Sequence, residues 1–499
     1  MKQILFILLI AFCTASCNDW LDVRPETEQK DYDQFSTVDG FFDMLVGTYM
    51  EMAATNAYGE RLTISNIESL ANQWYMPESN VGYGRLADWE LSAHDFTGDN
   101  ARTAIAACYS QLFHIIANAN LIIKYADEQA DVFIDESMRK VVQGEAYAIR
   151  AYCQLDVLRL FGQLPQGGTR QVQLPYSFTT SIYDMPAYYD YAAYVDLLKK
   201  DLDKAEELLG EGDPILKYSF GALNGTNNIV ADNHLLYRQY RLNYWAVRAL
   251  RARMHLYLGE LSEAYNVASE IINAKDPAGN PVREMTGATD IANGYRLCPN
   301  ECLFALSKYN IMDNTINFLG GGASGATYIW TSTLGLTMAR LNALYAGEAT
   351  TSHNRYQNCW NKNVKDNVNQ PNYALITKYY WAQGTGNTML NCQIVPMLRM
   401  SEVYLIAMET STDLSEVNSW YKQYMVQHAV GTSVDFASLD DARTWIRAEY
   451  NREFFAEGQA FYTYKRVASP TMMGAPDKVM TEADYILPLP ETEFNPNNL

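Results

Sequence analysis

The sequence predicts an all-α protein: paired helices stacked into a scaffold, with an irregular, loop-rich lobe mounted on it. Three observations carry this reading. Apolar residues recur at i, i+3, i+4 and i+7 along long segments, whereas alternating, strand-like stretches are short and scattered. Segments of similar length follow one another through short connections, the pattern of helical hairpins. Two long stretches, roughly 56–100 and 276–395, break the periodicity with Gly, Asn, Thr and isolated aromatic groups.

Taken in order, the chain opens as a secretory leader. Lys2 supplies the positive start, Ile4 to Phe12 form an apolar run too short to span a bilayer, and Thr14, Ala15 and Ser16 are small residues before Cys17. A Cys in that place is the lipobox arrangement, in which the thiol is acylated and the preceding peptide removed. Residues 1–16 are therefore read as a signal peptide, 17–35 as the lipidated Cys17 with a polar tether, and 36–499 as one body. No second apolar stretch is read as a transmembrane helix, so the mature chain would be held to a membrane by lipid alone.

The periodic segments place helices near 37–54, 101–126, 135–161, 188–209, 234–258, 261–275, 397–411, 415–430 and 438–458. The scaffold thus covers about 37–275 and 397–458, and the lobe about 56–100 and 276–395. The tail, 465–499, is punctuated by proline, which forces Ile486 to Pro490 to be extended. Residues 245–277 are similar to a tetratricopeptide repeat. Ala252 and Ala264 are small where two helices must approach closely, Gly259 sits at the turn, and Pro277 closes the unit.

Composition excludes several functions. A formal charge of −20 with no run of Lys or Arg argues against nucleic acid as a partner. The six His are widely separated, with no HExxH or His-x-His spacing, so no metal site is assigned. Cys298 and Cys302 could form a local disulfide or half of a zinc site, but no second Cys pair or nearby His completes the latter. Gly320 to Thr327 has the outline of a phosphate loop, yet Ala326 stands where the lysine is needed. With so many carboxylates, a pair at glycosidase spacing is expected by chance and says nothing of catalysis. No catalytic residue and no cofactor is assigned.

Five segments in order carry a family resemblance that spans nearly the whole chain. They are the lipobox followed by CNDWLDVRPETEQ; residues 144–165, with Arg150, Ala151 and Tyr152 before Leu160, Phe161, Gly162 and Pro165; the repeat at 245–277; residues 396–410, with Pro396, Arg399, Glu402, Tyr404, Leu405 and Glu409; and residues 446–466 with the closing segment YILPLPETEFNPNNL. Together they resemble the SusD/RagB family of outer-membrane nutrient-binding lipoproteins. The chain departs from that pattern at Thr14, at Gln459 and Ala460 after Glu457 and Gly458, and at Tyr462-Thr463-Tyr464, which marks a divergent branch.

The resemblance implies four tetratricopeptide-like helix pairs in a right-handed superhelix, with the repeats facing a SusC-like TonB-dependent transporter. It further implies ligand binding on the non-repeat lobe, no enzymatic activity, and attachment to the outer membrane through lipid, exposed at the surface. The implied ligand is a glycan; an oligopeptide, as in RagB-type relatives, and a purely protein-binding adaptor are the alternatives. The family has no fixed ligand motif, so the candidates come from chemistry: a sugar ring pairs a flat aromatic platform with hydrogen-bonding groups. In the irregular stretches the candidates are Trp74, Tyr75, Trp89, Tyr328, Trp330, Trp360, Tyr380 and Trp381, whereas Trp245, Trp420 and Trp445 on helices are read as core.

Overall fold

The computed structural model describes residues 26–76, 82–180, 184–225, 229–230, 232–319, 328–329, 333–366, 372–380, 392–429 and 433–494. Cys17 and the 320–327 run lie outside the described residues.

The described residues begin with helices α1 (Glu26–Gln34) and α2 (Val38–Met52), continue through the short α3 (Asn66–Leu70) and α4 (Leu86–Ala93), and lengthen in α5 (Asp99–Glu128), α6 (Glu136–Phe161) and α7 (Tyr191–Gly212). The pair α8 (Tyr244–Leu258) and α9 (Leu261–Asn273) follows. Four short helices come next: α10 (Ala288–Ala292), α11 (Ile311–Ile316), α12 (Met338–Leu344) and α13 (Asn354–Asn358). The last four are α14 (Met400–Thr410), α15 (Leu414–Met425), α16 (Leu439–Glu453) and α17 (Ala460–Arg466).

Many starts follow from local chemistry. Thr37, Asp135, Asp190, Asn243, Asp413 and Ser438 each accept a backbone N–H of the first turn of the helix they precede. Gly259, at φ 79°, makes the left-handed turn between α8 and α9, and Ala252 and Ala264 are fully buried, as the repeat spacing predicts.

The long helices form a continuous stack: α5 on α6, α6 on α7, α7 on α8, α8 on α9, α9 on α14, and α14 on α15 and α16. The contact of α9 with α14 is the informative one, because the whole 276–395 stretch lies between them in sequence. The lobe is an insertion at one joint of the array. Two strands stitch that joint: β3 (Cys302–Ser307) and β8 (Ile394–Arg399) pair antiparallel, Cys302 opposite Arg399 and Ser307 opposite Ile394. In chain order the strands are β1 (Leu174–Pro175), β2 (Tyr188–Tyr189), β3 (Cys302–Ser307), β4 (Tyr328–Ile329), β5 (Leu336–Thr337), β6 (Trp360–Asp366), β7 (Asn372–Ile376) and β8 (Ile394–Arg399).

The structure corrects the sequence reading in several places. The 276–395 stretch is not merely irregular, since β4, β6, β7 and β5 form a four-stranded sheet in that order. Its strands are two to seven residues long and β6 is bulged between Asn361 and Val364, too brief and broken for a period of two to emerge. The segment read as a helix from 397 begins as β8, whose six residues are all buried and so lack alternation. The helix read from 234 starts at the Asn243 cap, after two 3₁₀ turns. The helix read to 458 ends at Glu453, and the chain turns through Ala456 and Gly458 at positive φ. A Cβ on Gly458 would sit 2.3 Å from the Leu62 carbonyl oxygen, so that turn requires glycine. Within the segment read as a tether, Glu26–Gln34 is helical, and Phe35 is buried with its ring stacked on Tyr125 at 4.7 Å. Finally, α5 is long and apolar enough to cross a bilayer by composition, yet it packs against α2 and α6 with Leu112, Ile115, Ile116 and Ile122 fully buried, as a core helix does.

Candidate ligand-binding site

The sheet in the insertion has two unequal faces. Trp360, Leu336, Ala374 and Ile376 point into the main core, while Val364, Tyr373 and Leu375 form a small buried cluster apart from it, against which Tyr75 packs. The register explains the division. Tyr373 lies opposite Val364 and Leu375 opposite Asn361, and successive side chains along β7 alternate faces.

Tyr75 reaches this face because its N–H donates to the Gly335 carbonyl at 2.9 Å, which fastens the 74–76 segment to the start of β5. Its half-buried ring lies 6.1 Å from that of Tyr373, and the Arg340 guanidinium stands 5.2 Å from its centroid. Arg340 donates to the Trp74 carbonyl at 2.8 Å and to the Gly474 carbonyl. Burial lowers the pKa of Arg340, opposed only by Tyr75. The result is a ring and a cation held together on one surface, a cation–π arrangement beside polar backbone.

The other candidate rings divide. Tyr380 is half-exposed beside a shallow depression lined by Met312, Ile316, Leu319 and Tyr379, and its carbonyl accepts from Arg296 at 3.0 Å. Trp89 is half-buried on α4, anchored by Asp88, which is buried and takes donors from Arg85, Asn66 and Ser69 at 2.7–3.0 Å. Arg85 also lies 4.3 Å over the ring of Phe318, tying α4 to the insertion. Tyr328 contributes its backbone to β4, which runs parallel to β6; Trp330 and Trp381 lie outside the described residues.

Trp74 and Trp360 do not belong with a ligand face. They are 1% and 5% exposed and pack edge-on against the same ring, Phe455, at 4.8 and 4.9 Å. The Trp74 indole N–H donates to the Ile64 carbonyl at 2.8 Å. Both rings sit in irregular sequence for the reason any loop needs anchors: they pin the 56–100 stretch and the insertion to the turn after α16. Nothing in their sequence context separates them from Tyr75, which directly follows Trp74.

Buried charge lies elsewhere, and it is paired. Among the described residues, His428, Glu449 and Glu453 are placed as closely as the ligands of a metal triad. The carboxylates, however, already accept from guanidiniums: Glu449 from Arg452 at 2.6 Å, and Glu453 from Arg399 at 2.7 Å and from Arg355. Burial raises the carboxyl pKa of Glu453, but Arg355 and Arg399 outweigh it and hold the group below its usual range. A further cation would meet three guanidiniums there, so the cluster is an ion-pair knot and not a metal centre. The cysteines are likewise structural: the six described thiols are free and buried, including Cys298 and Cys302, so the disulfide alternative is not realised.

No protein-family model matches the chain, and no curated protein matches it at a significant level. Solved structures do. A SusD superfamily protein from Bacteroides thetaiotaomicron is 18% identical with a TM-score of 0.69, covering 93% of this chain and 98% of its own. A SusD-like carbohydrate binding protein from Bacteroides vulgatus is 14% identical with a TM-score of 0.62, covering 86% of this chain and 83% of its own. A structure solved with a xylogluco-oligosaccharide is 15% identical with a TM-score of 0.58, at the same coverages. At such identities the likeness is one of architecture, and it extends over nearly the whole length: the chain has the fold of the SusD superfamily.

Proposed function

We propose that the protein captures glycans on the lobe inserted between α9 and α14 and delivers them to a SusC-like TonB-dependent transporter, without chemistry of its own. The observation that carries this reading is the outward face of the insertion's sheet. There the half-buried Tyr75 lies over the buried Tyr373 and beside Arg340, apart from the core, and Tyr380 and Trp89 are half-exposed on other segments. The shared fold with a carbohydrate binding protein and with a structure holding an oligosaccharide supports glycan as the ligand class. Tyr328, Trp330 and Trp381 remain candidates for the same ligand on their sequence alone.

Acylation at Cys17 would keep the protein at the outer membrane, and holding a binding face beside a transporter raises the effective concentration of ligand at its mouth. The test is binding of the purified chain to a panel of polysaccharides and mixed oligopeptides, with calorimetry on each hit. Binding of one glycan class, weakened by Tyr75→Ala, Trp89→Ala or Tyr380→Ala, supports the reading. Binding of peptides alone would overturn the ligand class, and binding of neither would leave the protein-binding adaptor. Replacing Cys17 by Ala and following incorporation of labelled palmitate tests the anchor.

A further inference from the structure

Trp245 is not a core residue in the ordinary sense. It stands half-buried on the first turn of α8, its ring edge-on to Tyr244 at 5.2 Å, and lines a small, open pocket that shares no residue with the lobe's sheet. The floor of that pocket is apolar: Ile215, Leu216, Phe220 and Val282. Phe220 is fully buried and carries the Arg283 guanidinium at 4.0 Å, while Arg283 itself is fixed by donating to the Cys302 carbonyl. The rim is polar, made by Tyr218, Ser219, Lys275 and Asp276.

The rim is also preorganised and only partly spent. Asp276 uses Oδ1 to accept the N–H groups of Ala278 and Asn280, both at 2.9 Å, while its own N–H donates to the Asn280 carbonyl at 2.7 Å. That closes a tight hairpin bridged between Lys275 and Pro281. Its Oδ2 has no hydrogen-bond partner among the described residues, and the same is true of the Lys275 ammonium, the Tyr218 hydroxyl and the Trp245 indole N–H. Thus one acceptor and several donors surround an apolar floor walled by aromatic rings. An aromatic or aliphatic peptide side chain would fill the floor and leave both charges unmatched. A pyranose ring offers an apolar C–H face to the rings and hydroxyl groups to the rim, and a small open pocket admits one terminal ring and not a chain.

We infer that the pocket between α8 and the 275–281 hairpin is a second carbohydrate subsite that takes a single terminal glycosyl ring, independent of the lobe's sheet. The probes are the methyl glycosides of glucose, galactose, mannose, xylose and N-acetylglucosamine, with N-acetyltryptophanamide as the peptide counterpart. Each is titrated into the full chain, observing the Trp245 indole N–H resonance, assigned by its loss in Trp245→Phe. The expected result is a saturable shift with at least one glycoside, with affinity about ten-fold lower in Asp276→Asn and in Trp245→Ala, the size of one lost stacking or charge-assisted contact. Tyr75→Ala leaves it unchanged, which separates this site from the sheet. Asp276→Asn keeps the hairpin's Oδ1 contacts, so its effect does not depend on misfolding. A response to N-acetyltryptophanamide alone, no response to any glycoside, or a shift indifferent to Asp276→Asn would each overturn the inference.

Discussion

The helical array and the inserted sheet use polar chemistry in opposite ways. In the array, charges are buried and paired across elements. Arg150 on α6 holds Asp201 on α7 with two bonds of 2.6–2.7 Å and Asn120 on α5 with a third. Arg253 on α8 holds Glu402 on α14 with two bonds and the Tyr152 hydroxyl on α6 with another, and Arg466 on α17 holds Glu409 on α14. On the outer face of the sheet the half-buried Tyr75 covers a small buried cluster beside a cation whose hydrogen bonds go to backbone carbonyls. The difference teaches where specificity of fold and affinity for ligand reside. Buried ion pairs fix which helices meet, because each is costly unless its partner is present, while a ring and a cation held at the surface stay ready for an outside molecule.

The sharpest way to break the comparison is to remove a shared cation from the array. Arg399 at the end of β8 donates to Glu457 at 2.9 Å, to Glu453 at 2.7 Å and to Glu301, all buried. Arg399→Met leaves Glu301 without a cation and Glu453 and Glu457 with only Arg355 and Lys378, and a loss of about 3–5 kcal/mol is expected in urea denaturation. Whatever fraction remains folded should bind glycan with unchanged affinity. An altered affinity would mean that the network also shapes the lobe.

Next in size is the pair of tryptophans under the lobe. Trp360→Ala opens a cavity beside Phe455 and is expected to cost about 3–4 kcal/mol, read as a lower urea midpoint. Trp74→Ala should cost a similar amount, because it also leaves the Ile64 carbonyl without its indole donor. If either variant keeps full stability and loses only glycan binding, the division of rings into anchors and platforms is wrong.

That division marks the limit of what the sequence discloses. The long helices are legible because a 3.6-residue period persists over many turns, and the array's ion pairs are legible as motif residues: Arg150, Arg399, Glu402, Glu409, Glu453 and Glu457 are all in the segments that carry the resemblance. Their role as cross-element partners is not, since Arg399 meets Glu301 across nearly a hundred residues. The sheet escapes detection because its strands are short and bulged. The rings cannot be sorted because exposure depends on register: Trp74 and Tyr75 are adjacent and face opposite ways, a choice set by the Tyr75–Gly335 bond to a segment far along the chain.

A smaller effect tests the seam through pH. Glu68 is buried, accepts the Gly458 N–H at 2.7 Å, and is pushed up from 4.5 to about 8 by burial, against the lowering effects of Gly458 and Lys378. The folded chain therefore holds a proton that the unfolded chain releases at the ordinary carboxyl pKa. The stabilisation is fully present below about 4.5 and is lost as pH rises to about 8, after which it is flat. At about 1.4 kcal/mol per pKa step, roughly 2–3 kcal/mol is expected after relaxation around the group. Glu68→Gln keeps the acceptor without the charge, so its stability should vary less between pH 5 and pH 8.5; an unchanged slope would place the titration elsewhere.

The least destabilising change should be the most damaging to binding. Tyr75 covers Val364, Tyr373 and Leu375 but is only half-buried, so Tyr75→Ala should cost about 0.5–1.5 kcal/mol, the worth of one aromatic contact. Its loss also frees Arg340 from the ring while leaving that cation's bonds to the Trp74 and Gly474 carbonyls in place. Glycan affinity should fall about ten-fold while the urea midpoint barely moves. Tyr75→Phe separates the two contributions within the face: the ring remains to stack and to hold the cation, and only the hydroxyl is lost. Near-native affinity in Tyr75→Phe would assign the grip to stacking. A loss as large as in Tyr75→Ala would assign it to a hydrogen bond from the phenol, and the outer face of the sheet would then select its ligand by hydroxyl pattern more than by shape.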